Sequence, residues 1–215
     1  MIARSFSHID TWVFDLDNTL YPPETALFPQ IELKMTAYVM QALGVDQPEA
    51  ARLRRHYWRE HGTTLAGLMD IHNVDPGPYL HDVHDISMHP LAPDPALAAA
   101  IAALPGRRIV YTNGTAPYAR AVAQARGLEG LFDAVYGVEH ADFHPKPSAD
   151  AFHTVFAKDA LTPTKAAMFE DEARNLRVPH ALGLTTIHVA PNRAPDAFIH
   201  HHTDDLTEFL HSLTT

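Results

Sequence analysis

The chain has 215 residues, a formal net charge of −10 with neutral histidines, and no cysteine. A negative net charge argues against nucleic acid or an anionic membrane as partner, and the lack of cysteine excludes disulfides, thiolate metal sites and cysteine nucleophiles. With 46% hydrophobic and 20% charged residues, the composition is typical of a globular protein with one well-packed domain, or a domain with a sizeable insertion.

Residues 1 to 17, MIARSFSHIDTWVFDLD, lack the apolar stretch of a secretion signal, because Asp10 and Asp15 interrupt the hydrophobic residues. No part of the sequence approaches the about 18 consecutive apolar residues of a membrane-spanning helix. These observations lead us to expect a cytoplasmic protein with no membrane partner.

Short runs of β-branched and aromatic residues predict the strands of a sheet. They lie at residues 12–14, 108–112, 134–137, 166–169 and 185–189. The runs are apolar throughout, as expected of strands in a parallel sheet that helices cover on both faces.

Helical patterns separate the later strands, and several have recognisable ends. Thr115 is placed to cap a helix over residues 116–126, and Ser148 is placed to cap one over residues 149–158. A third pattern covers residues 172–182 and ends at a glycine. This alternation predicts an α/β fold with a doubly wound, Rossmann-like parallel sheet.

Residues 20–89 behave differently, because they show helical periodicity and no strand pattern. One of the predicted helices lies between Asp46 and Gly62. A connection this long is unusual unless it carries function. We therefore predict a core domain of residues 1–19 and 90–215, with an all-helical cap domain of residues 20–89 inserted after the first strand.

Polar and charged residues follow the predicted strands at the edge where open parallel sheets bind ligands. The four groups are Asp15-Leu16-Asp17-Asn18-Thr19, Thr112-Asn113-Gly114, His144-Pro145-Lys146-Pro147 and Glu170-Asp171-Glu172. Two carboxylates such as Asp15 and Asp17 repel each other at the end of a buried strand, so we expect a positive charge close to them.

This combination suits phosphoryl transfer through an aspartyl phosphate. A carboxylate nucleophile and an incoming phosphate both need positive charge, which a lysine and Mg²⁺ held by oxygen ligands can supply. A hydroxyl and backbone N–H groups near a helix start can bind phosphate oxygens. A second acid, two residues after the nucleophile, can protonate the leaving oxygen and later activate water.

The same residues resemble the motifs of a known family. Four segments resemble, in chain order, the four motifs of the haloacid dehalogenase-like hydrolase superfamily: 15-DLDNT-19, 112-TNG-114, 145-PKP-147 and 169-FEDEARNL-176. The helical insertion lies where that superfamily places its first type of cap. The resemblance to the bacterial pyrimidine 5′-nucleotidases is closer still, and it is carried by DLDNTLYP, 62-GTTLAGLM-69 and FED-x-ARNL followed by HALGLTT.

The resemblance implies a Mg²⁺-dependent phosphomonoester hydrolase that acts through a phospho-aspartate on a small phosphorylated metabolite. The nucleotidase-like segments imply that this metabolite is a nucleotide, UMP or CMP. No nucleic acid or membrane is expected as partner, and the sequence makes no prediction of the oligomeric state.

Carried onto this sequence, the resemblance implies a role for each matched residue. Asp15 is the nucleophile and a metal ligand, and Asp17 is the general acid and base that also offers its backbone carbonyl to the metal. Lys146 belongs to the catalytic set and neutralises the phosphoryl group. Asp171 completes the magnesium site, and Glu170 supports a metal-bound water.

The phosphate is expected to bind Thr112, Asn113 and Gly114, again as the resemblance implies. In the cap, Tyr21 and Thr63 are candidates for contact with the leaving group. Ordinary packing, and a helix cap at Thr63, explain these two residues equally well.

Two positions depart from the family pattern. Glu172 stands where relatives often have a serine, and Asn175 stands where some have a second acid. Whether Glu172 joins the outer shell of the metal is left open by the sequence. The histidine run 200–202 lacks the spacing of a known metal motif, so we expect it in a solvated surface turn.

Other functions are compatible with parts of this pattern. A C–halogen hydrolase would use Asp15 in the same way, and a phosphomutase would retain the phosphoryl group for transfer. A receiver-type signalling module also surrounds a phosphorylated aspartate with acids, a threonine and a lysine, but its acidic pair precedes the acceptor strand. The order of the motifs in this chain favours the hydrolase.

Overall fold

The computed structural model of the protein describes residues 2–193 and 196–214. The strands of this part of the chain are β1 (Thr11–Phe14), β2 (Arg107–Tyr111), β3 (Ala134–Tyr136), β4 (Ala166–Glu170), β5 (Thr185–Val189) and β6 (His201–Thr203). They form one sheet in the order β3-β2-β1-β4-β5-β6, and every neighbouring pair is parallel. The five predicted strands are confirmed, each to within one residue at either end.

Strand β1 lies in the middle of the sheet, paired with β2 on one side and β4 on the other. Val13 stands opposite Ile109 in β2 and Met168 in β4, and all three side chains are buried. Because parallel neighbours end at the same edge of a sheet, the residues that follow these three strands are brought together.

The helices of the described chain connect these strands. They are α1 (Ile2–Ser5), α2 (Phe28–Leu43), α3 (Gln47–His61), α4 (Thr64–His72), α5 (Pro76–Val83), α6 (Pro95–Ala102), α7 (Ala116–Ala125), α8 (Ala149–Lys158), α9 (Arg177–Leu182) and α10 (Leu206–Thr214). Among them, none is long and apolar enough to cross a membrane.

The two faces of the sheet are covered by different helices. On one face Trp12 packs in a cluster that includes Val122 of α7 and Phe209 of α10. On the other face Val13 packs in a second cluster with Phe152 of α8. Successive side chains of a strand point to opposite faces, so the neighbours Trp12 and Val13 serve separate cores and the predicted doubly wound α/β fold is confirmed.

Helices α2 to α5 lie between β1 and α6, and no strand occurs among them in the described chain. Helix α3 begins after Asp46, whose carboxylate accepts the backbone N–H of Glu49, and ends before Gly62. Helix α4 begins after Thr63, whose hydroxyl accepts the backbone N–H of Ala66. The helical content supports the division into a core and an inserted cap, which stays our proposal.

Two helix predictions are wrong in detail. Ser148 precedes α8, but its side chain makes no capping hydrogen bond. The pattern over residues 172–182 is divided into a 3₁₀ helix, Ala173–Leu176, and the α-helix α9. Pro179 explains the late start of α9, because proline has no N–H to donate and is accommodated in the first turn of a helix.

The expectation of a solvated turn at residues 200–202 is also wrong. Strand β6 pairs with β5, and the backbone N–H of His200 donates to the carbonyl of Thr186 at 3.1 Å. In return, the backbone N–H of Thr186 donates to His200 Nδ1 at 3.1 Å. A strand at the edge of a sheet presents unpaired backbone groups, and this histidine run satisfies those of β5.

A glycine allows close contact between α3 and α4. A Cβ at Gly67 would overlap the Cβ and Cγ atoms of Tyr57. We predict that Gly67→Ala lowers the free energy of unfolding by about 1 to 3 kcal/mol, although alanine is the better helix former by about 1 kcal/mol. Urea denaturation measures the change.

Gly77→Ala in α5 is the matched control. A Cβ at that position would meet Asp75 Oδ1 at an ordinary 3.4 Å, so we expect stabilisation by about 0.4 to 1 kcal/mol. Equal effects of the two substitutions would contradict the packing argument.

Candidate active site

A buried lysine lies where β1, β2 and β4 end. Lys146 Nζ is 2.6 Å from Asp15 Oδ1 and 2.7 Å from Glu170 Oε2. It also donates to the backbone carbonyl of Tyr111 at 3.0 Å, so three contacts engage the three protons of the ammonium group. Although burial opposes the charge, Asp15 and Glu170 raise the pKa of Lys146 above its usual value, and the lysine stays protonated.

The side chain of Asn113 holds the segment that carries this lysine. Asn113 Oδ1 accepts the backbone N–H of Lys146 at 2.8 Å, and Asn113 Nδ2 donates to the backbone carbonyl of Lys146 at 3.1 Å. Sequence analysis expected Asn113 to bind phosphate and did not foresee this contact. The amide orients Lys146 towards the end of β1.

The two neighbours of Asn113 form a tight turn. Thr112 is buried, and its Oγ1 accepts the backbone N–H of Gly114 at 2.9 Å. The hydroxyl proton of Thr112 is still available to donate. All three residues predicted to bind phosphate line the same cavity as Asp15 and Lys146.

The second acid of the first motif is held by two tyrosines. Tyr21 Oη and Tyr118 Oη both donate to Asp17 Oδ1, at 2.6 Å and 2.7 Å. Burial raises the pKa of Asp17, and the two hydroxyls oppose this rise by stabilising the carboxylate. The ring of His84 stacks on Tyr118 with centroids 4.4 Å apart, which fixes that ring in turn.

Sequence analysis gave these tyrosines no such role. It expected Tyr21 to contact the leaving group, whereas the partner of Tyr21 in the structure is Asp17 and its side chain is buried. Tyr118 was missed altogether, because a tyrosine in the alanine-rich helix α7 carries no signal of a partner in the first motif.

Three acids converge beside the lysine. Asp15, Glu170 and Asp171 each offer a carboxylate oxygen, and these oxygens lie within 4.8 Å of one another. Asn18 Nδ2 donates to Asp171 Oδ2 at 3.3 Å, and Thr19 Oγ1 donates to Asp15 Oδ2 at 3.2 Å. Among the acids and histidines of the described residues, these three acids are the ones whose ligand atoms lie close enough together to hold a metal ion.

The electrostatics of the acids fit a divalent cation. Burial and the charge of Glu170 raise the pKa of Asp15 to about 7, although Lys146 acts in the opposite direction. Burial and the charges of Asp15 and Glu170 raise the pKa of Asp171 to about 10. One lysine therefore does not offset three close carboxylates, and oxygen ligands of this kind suit Mg²⁺.

The two positions that depart from the family pattern have distinct surroundings. The backbone N–H of Glu172 donates to Glu170 Oε1 at 3.2 Å, and the Glu172 carboxylate lies 4.0 Å from Arg174 Nε. Asn175 is buried, lines the cavity, and its Oδ1 has no hydrogen-bond partner among the described residues.

A cavity of about 420 Å³ joins the acids to helices α2 to α5. Asp15, Asp17 and Thr63 line it, with apolar residues such as Ile31 and Leu80. Thr63 therefore combines its helix cap with a position facing the cavity. The volume and the mixture of apolar and polar residues are those of a small-molecule site.

Arg174 connects the segment after β4 to helix α3. Its guanidinium donates to the backbone carbonyls of Trp58 at 2.8 Å and Gly62 at 3.0 Å, and it lies 3.8 Å above the Trp58 ring. The last carbonyls of a helix have no partner within it, so Arg174 satisfies groups that α3 leaves open. Sequence analysis missed this contact.

Comparison with known families agrees with this geometry. The family model described as "Hydrolase: haloacid dehalogenase-like hydrolase" matches residues 9–183. This range contains all four motifs, and the chain belongs to the haloacid dehalogenase-like hydrolases.

A curated relative is the phosphate metabolism protein 8 of Saccharomyces cerevisiae, which is 25% identical over 187 residues. The match covers 80% of this chain and 58% of the yeast protein. The chain thus spans little more than half the length of that relative.

Solved structures show the same fold at low sequence identity. The HAD phosphatase from Thermococcus onnurineus has a TM-score of 0.64 and 18% identity, with 95% of this chain and 98% of that chain covered. The magnesium-bound HAD-hydrolase YfnB from Bacillus subtilis has a TM-score of 0.62 and 15% identity, with 96% of this chain and 99% of that chain covered. The L-2-haloacid dehalogenase from Xanthobacter autotrophicus has a TM-score of 0.51 and 22% identity, with 86% of this chain and 79% of that chain covered.

The buried lysine yields a stability prediction. Lys146→Met leaves Asp15 and Glu170 without their cation, and we expect the free energy of unfolding in EDTA to fall by about 3 to 5 kcal/mol. Lys165→Met is the control, because Lys165 is exposed and its Nζ lies 3.9 Å from Asp10. We expect this control to change by less than about 0.5 kcal/mol. Similar losses in both variants would contradict the buried cluster.

The raised pKa values of Asp15 and Asp171 predict how Mg²⁺ binding depends on pH. Because these acids hold protons more tightly in the folded protein, the metal-free protein loses stability as pH rises from about 4. Mg²⁺ binds ionised carboxylates and competes with those protons. The rise in Tm on adding MgCl₂ should therefore be larger near pH 8 than near pH 5.

Differential scanning fluorimetry measures this difference. Asp171→Asn should remove most of the magnesium-dependent rise, since it deletes one of the three acids. A rise in Tm of the same size at both pH values, or in both proteins, would show that the ion does not bind at this cluster.

Proposed function

We propose that the protein is a Mg²⁺-dependent phosphomonoester hydrolase in which Asp15 is transiently phosphorylated. The observation that carries the proposal is the different setting of two acids in one cavity. Asp15 contacts the cation of Lys146, which favours the ionised form that a nucleophile needs. Asp17 contacts two neutral hydroxyls and no cation, and burial raises its pKa, as suits a group that exchanges protons.

In the first step, a carboxylate oxygen of Asp15 attacks phosphorus and the bond from phosphorus to the ester oxygen breaks. Protonated Asp17 gives its proton to the leaving oxygen, which departs as an alcohol. The ammonium of Lys146 offsets the negative charge that accumulates between Asp15 and the phosphoryl group.

In the second step, ionised Asp17 takes a proton from water while the water oxygen attacks the phosphorus bound to Asp15. Inorganic phosphate leaves, the Asp15 carboxylate is restored, and Asp17 is again protonated. Thr112, Asn113 and Gly114 contact the phosphate oxygens in this proposal.

Asp15, Asp171 and the backbone carbonyl of Asp17 would hold Mg²⁺, with Glu170 in support. The ion supplies positive charge that reduces the repulsion between the nucleophile and the phosphate. The single positive charge of Lys146 does not balance the negative charges of Asp15, Glu170 and Asp171, and the ion would balance the remainder.

As substrate we propose a pyrimidine nucleoside 5′-monophosphate, UMP or CMP, hydrolysed in the cytoplasm. The nucleotidase-like segments at the first motif, at residues 62–69 and after β4 support this choice, and the cavity has the volume of a small-molecule site. Another small phosphorylated metabolite, hydrolysed or isomerised by phosphoryl transfer, is the alternative substrate.

Hydrolysis of a carbon–halogen bond is the second candidate reaction, since the fold is shared with L-2-haloacid dehalogenases. It would use Asp15 in the same way, but a halide leaves without a proton. Phosphoryl transfer is favoured by two features that a dehalogenase does not need. One is Asp17, a proton donor held by two tyrosines, and the other is the pair of acids Glu170 and Asp171.

Release of phosphate from a substrate panel, with and without Mg²⁺, tests the proposal. We expect Mg²⁺-dependent turnover, with UMP and CMP preferred over purine nucleotides and sugar phosphates. Asp15→Asn should lower kcat by about a thousandfold or more while the circular dichroism spectrum stays unchanged.

Retained turnover in Asp15→Asn would refute the nucleophile. Halide release from a 2-haloacid would favour the second candidate, and a preference for a sugar phosphate would overturn the choice of nucleotide. Conversion of a sugar phosphate to its isomer without phosphate release would indicate a phosphomutase.

A further inference from the structure

Both hydrogen bonds that Asp17 receives from tyrosines fall on one of its two carboxyl oxygens. Tyr21 Oη and Tyr118 Oη donate to Asp17 Oδ1 at 2.6 Å and 2.7 Å, and neither engages Oδ2. A carboxylate oxygen has two lone pairs, so these donors occupy Oδ1. A proton on Oδ1 would displace one of them, whereas a proton on Oδ2 leaves both in place. The exchangeable proton of Asp17 is therefore expected on Oδ2.

A histidine that lines the cavity supports the Tyr118 ring. His84 directly follows α5, and its ring stacks on Tyr118 with the two planes inclined by 14°. His84 Nδ1 lies 3.5 Å from the hydroxyl of Thr115, the residue that caps α7. Burial lowers the pKa of His84 to about 4, so its ring is uncharged at neutral pH. His84 thus acts on Tyr118 through ring contact and not through charge.

The turn after β2 leaves space for the same two rings. A Cβ at Gly114 would lie 2.9 Å from Tyr118 Cδ1 and 3.4 Å from His84 Nε2. The absence of a side chain at Gly114 therefore lets this turn approach Tyr118 closely. Tyr118 is itself buried. Contacts with two other segments of the chain thus fix the direction in which its hydroxyl points.

We propose that Tyr21 and Tyr118 are positioning residues for the general acid, and that His84 acts on the same acid by holding Tyr118. By occupying Oδ1, the two hydroxyls fix the carboxyl group of Asp17 and leave Oδ2 to exchange the proton. During attack by Asp15, the O–H bond on Oδ2 breaks, the proton passes to the leaving oxygen, and the electron pair stays on Asp17. The inference deepens the proposed phosphatase function and rests on it.

The test compares two aryl phosphates whose leaving groups differ in their need for a proton. Phenolate is a poor leaving group that gains from protonation, whereas 2,4-dinitrophenolate leaves without a proton. Since kcat/KM reports formation of the phospho-aspartate, Tyr118→Phe should lower kcat/KM for phenyl phosphate by about three- to tenfold, the effect of one hydrogen bond. It should leave 2,4-dinitrophenyl phosphate within about twofold, because loss of one hydrogen bond to the acid does not affect a step that needs no proton.

Three further variants test the other parts of the arrangement. Tyr21→Phe should give the same selective loss, and the double variant with Tyr118→Phe should lose about ten- to a hundredfold with phenyl phosphate. His84→Ala should reproduce the selective loss, because it removes the ring that holds Tyr118. His84→Phe should restore most of the activity, because it keeps an uncharged aromatic ring in the stack.

Tyr136→Phe is the matched control. Tyr136 Oη donates to Asp159 Oδ1 at 2.9 Å, and neither residue is among those of the described chain that line the cavity. The control therefore also loses a hydrogen bond from a tyrosine to an aspartate, but away from the acids of the site. We expect it to change kcat/KM by less than about twofold with either aryl phosphate.

Each other outcome decides against the proposal. Equal losses for the two aryl phosphates in the Tyr118 and His84 variants would indicate a structural effect, and no loss with phenyl phosphate would show that the hydroxyls do not position the acid. A loss in His84→Phe as large as in His84→Ala would overturn the role of the ring contact. Absence of phosphate release from both aryl phosphates and UMP by the wild-type protein with Mg²⁺ would instead refute the phosphatase function itself.

Discussion

The contact of Lys146 with Asp15 and Glu170 is the constraint around which the site is built. The two acids come from the ends of β1 and β4, which are neighbours in the sheet, so the parallel order of the strands brings their charges together. Burying such charges is unfavourable unless they are paired. The loop carrying Lys146 must therefore reach the sheet edge, and Asn113, from the turn after β2, holds it there.

Much of this site could be predicted from the sequence, because each acid follows an apolar run and parallel strands deliver such residues to one edge. Asp15 and Asp171 needed only that rule and their chemistry, whereas Lys146 lies in the loop after β3 and its role was implied by the family resemblance. Tyr118 and Arg174 could not be found in this way, since their partners Asp17 and Trp58 are 101 and 116 residues distant in the chain. Strand β6 was missed because its three residues, His201, His202 and Thr203, form no apolar run, and only pairing with β5 defines it as a strand.

Residues from distant parts of the chain hold the acids and the wall of the cavity in place. Two tyrosines donate to Asp17. Tyr21 lies where the chain leaves the sheet, and Tyr118 lies on α7, which covers the sheet. Arg174 follows Asp171 by three positions and holds the end of α3, a helix whose residues line the cavity. The acid cluster at the sheet edge is thus tied directly to one wall of the cavity.

The placement of helices α2 to α5 between β1 and β2 has a consequence for modularity. Parallel neighbours always need a crossover of about a dozen residues or more, and here the connection runs from residue 15 to residue 106. Lengthening a loop about eightfold adds only about 2 kcal/mol of closure entropy. The helices therefore occupy a connection that the sheet requires in any case. Loop-closure entropy therefore sets little limit on the length of the helical insertion.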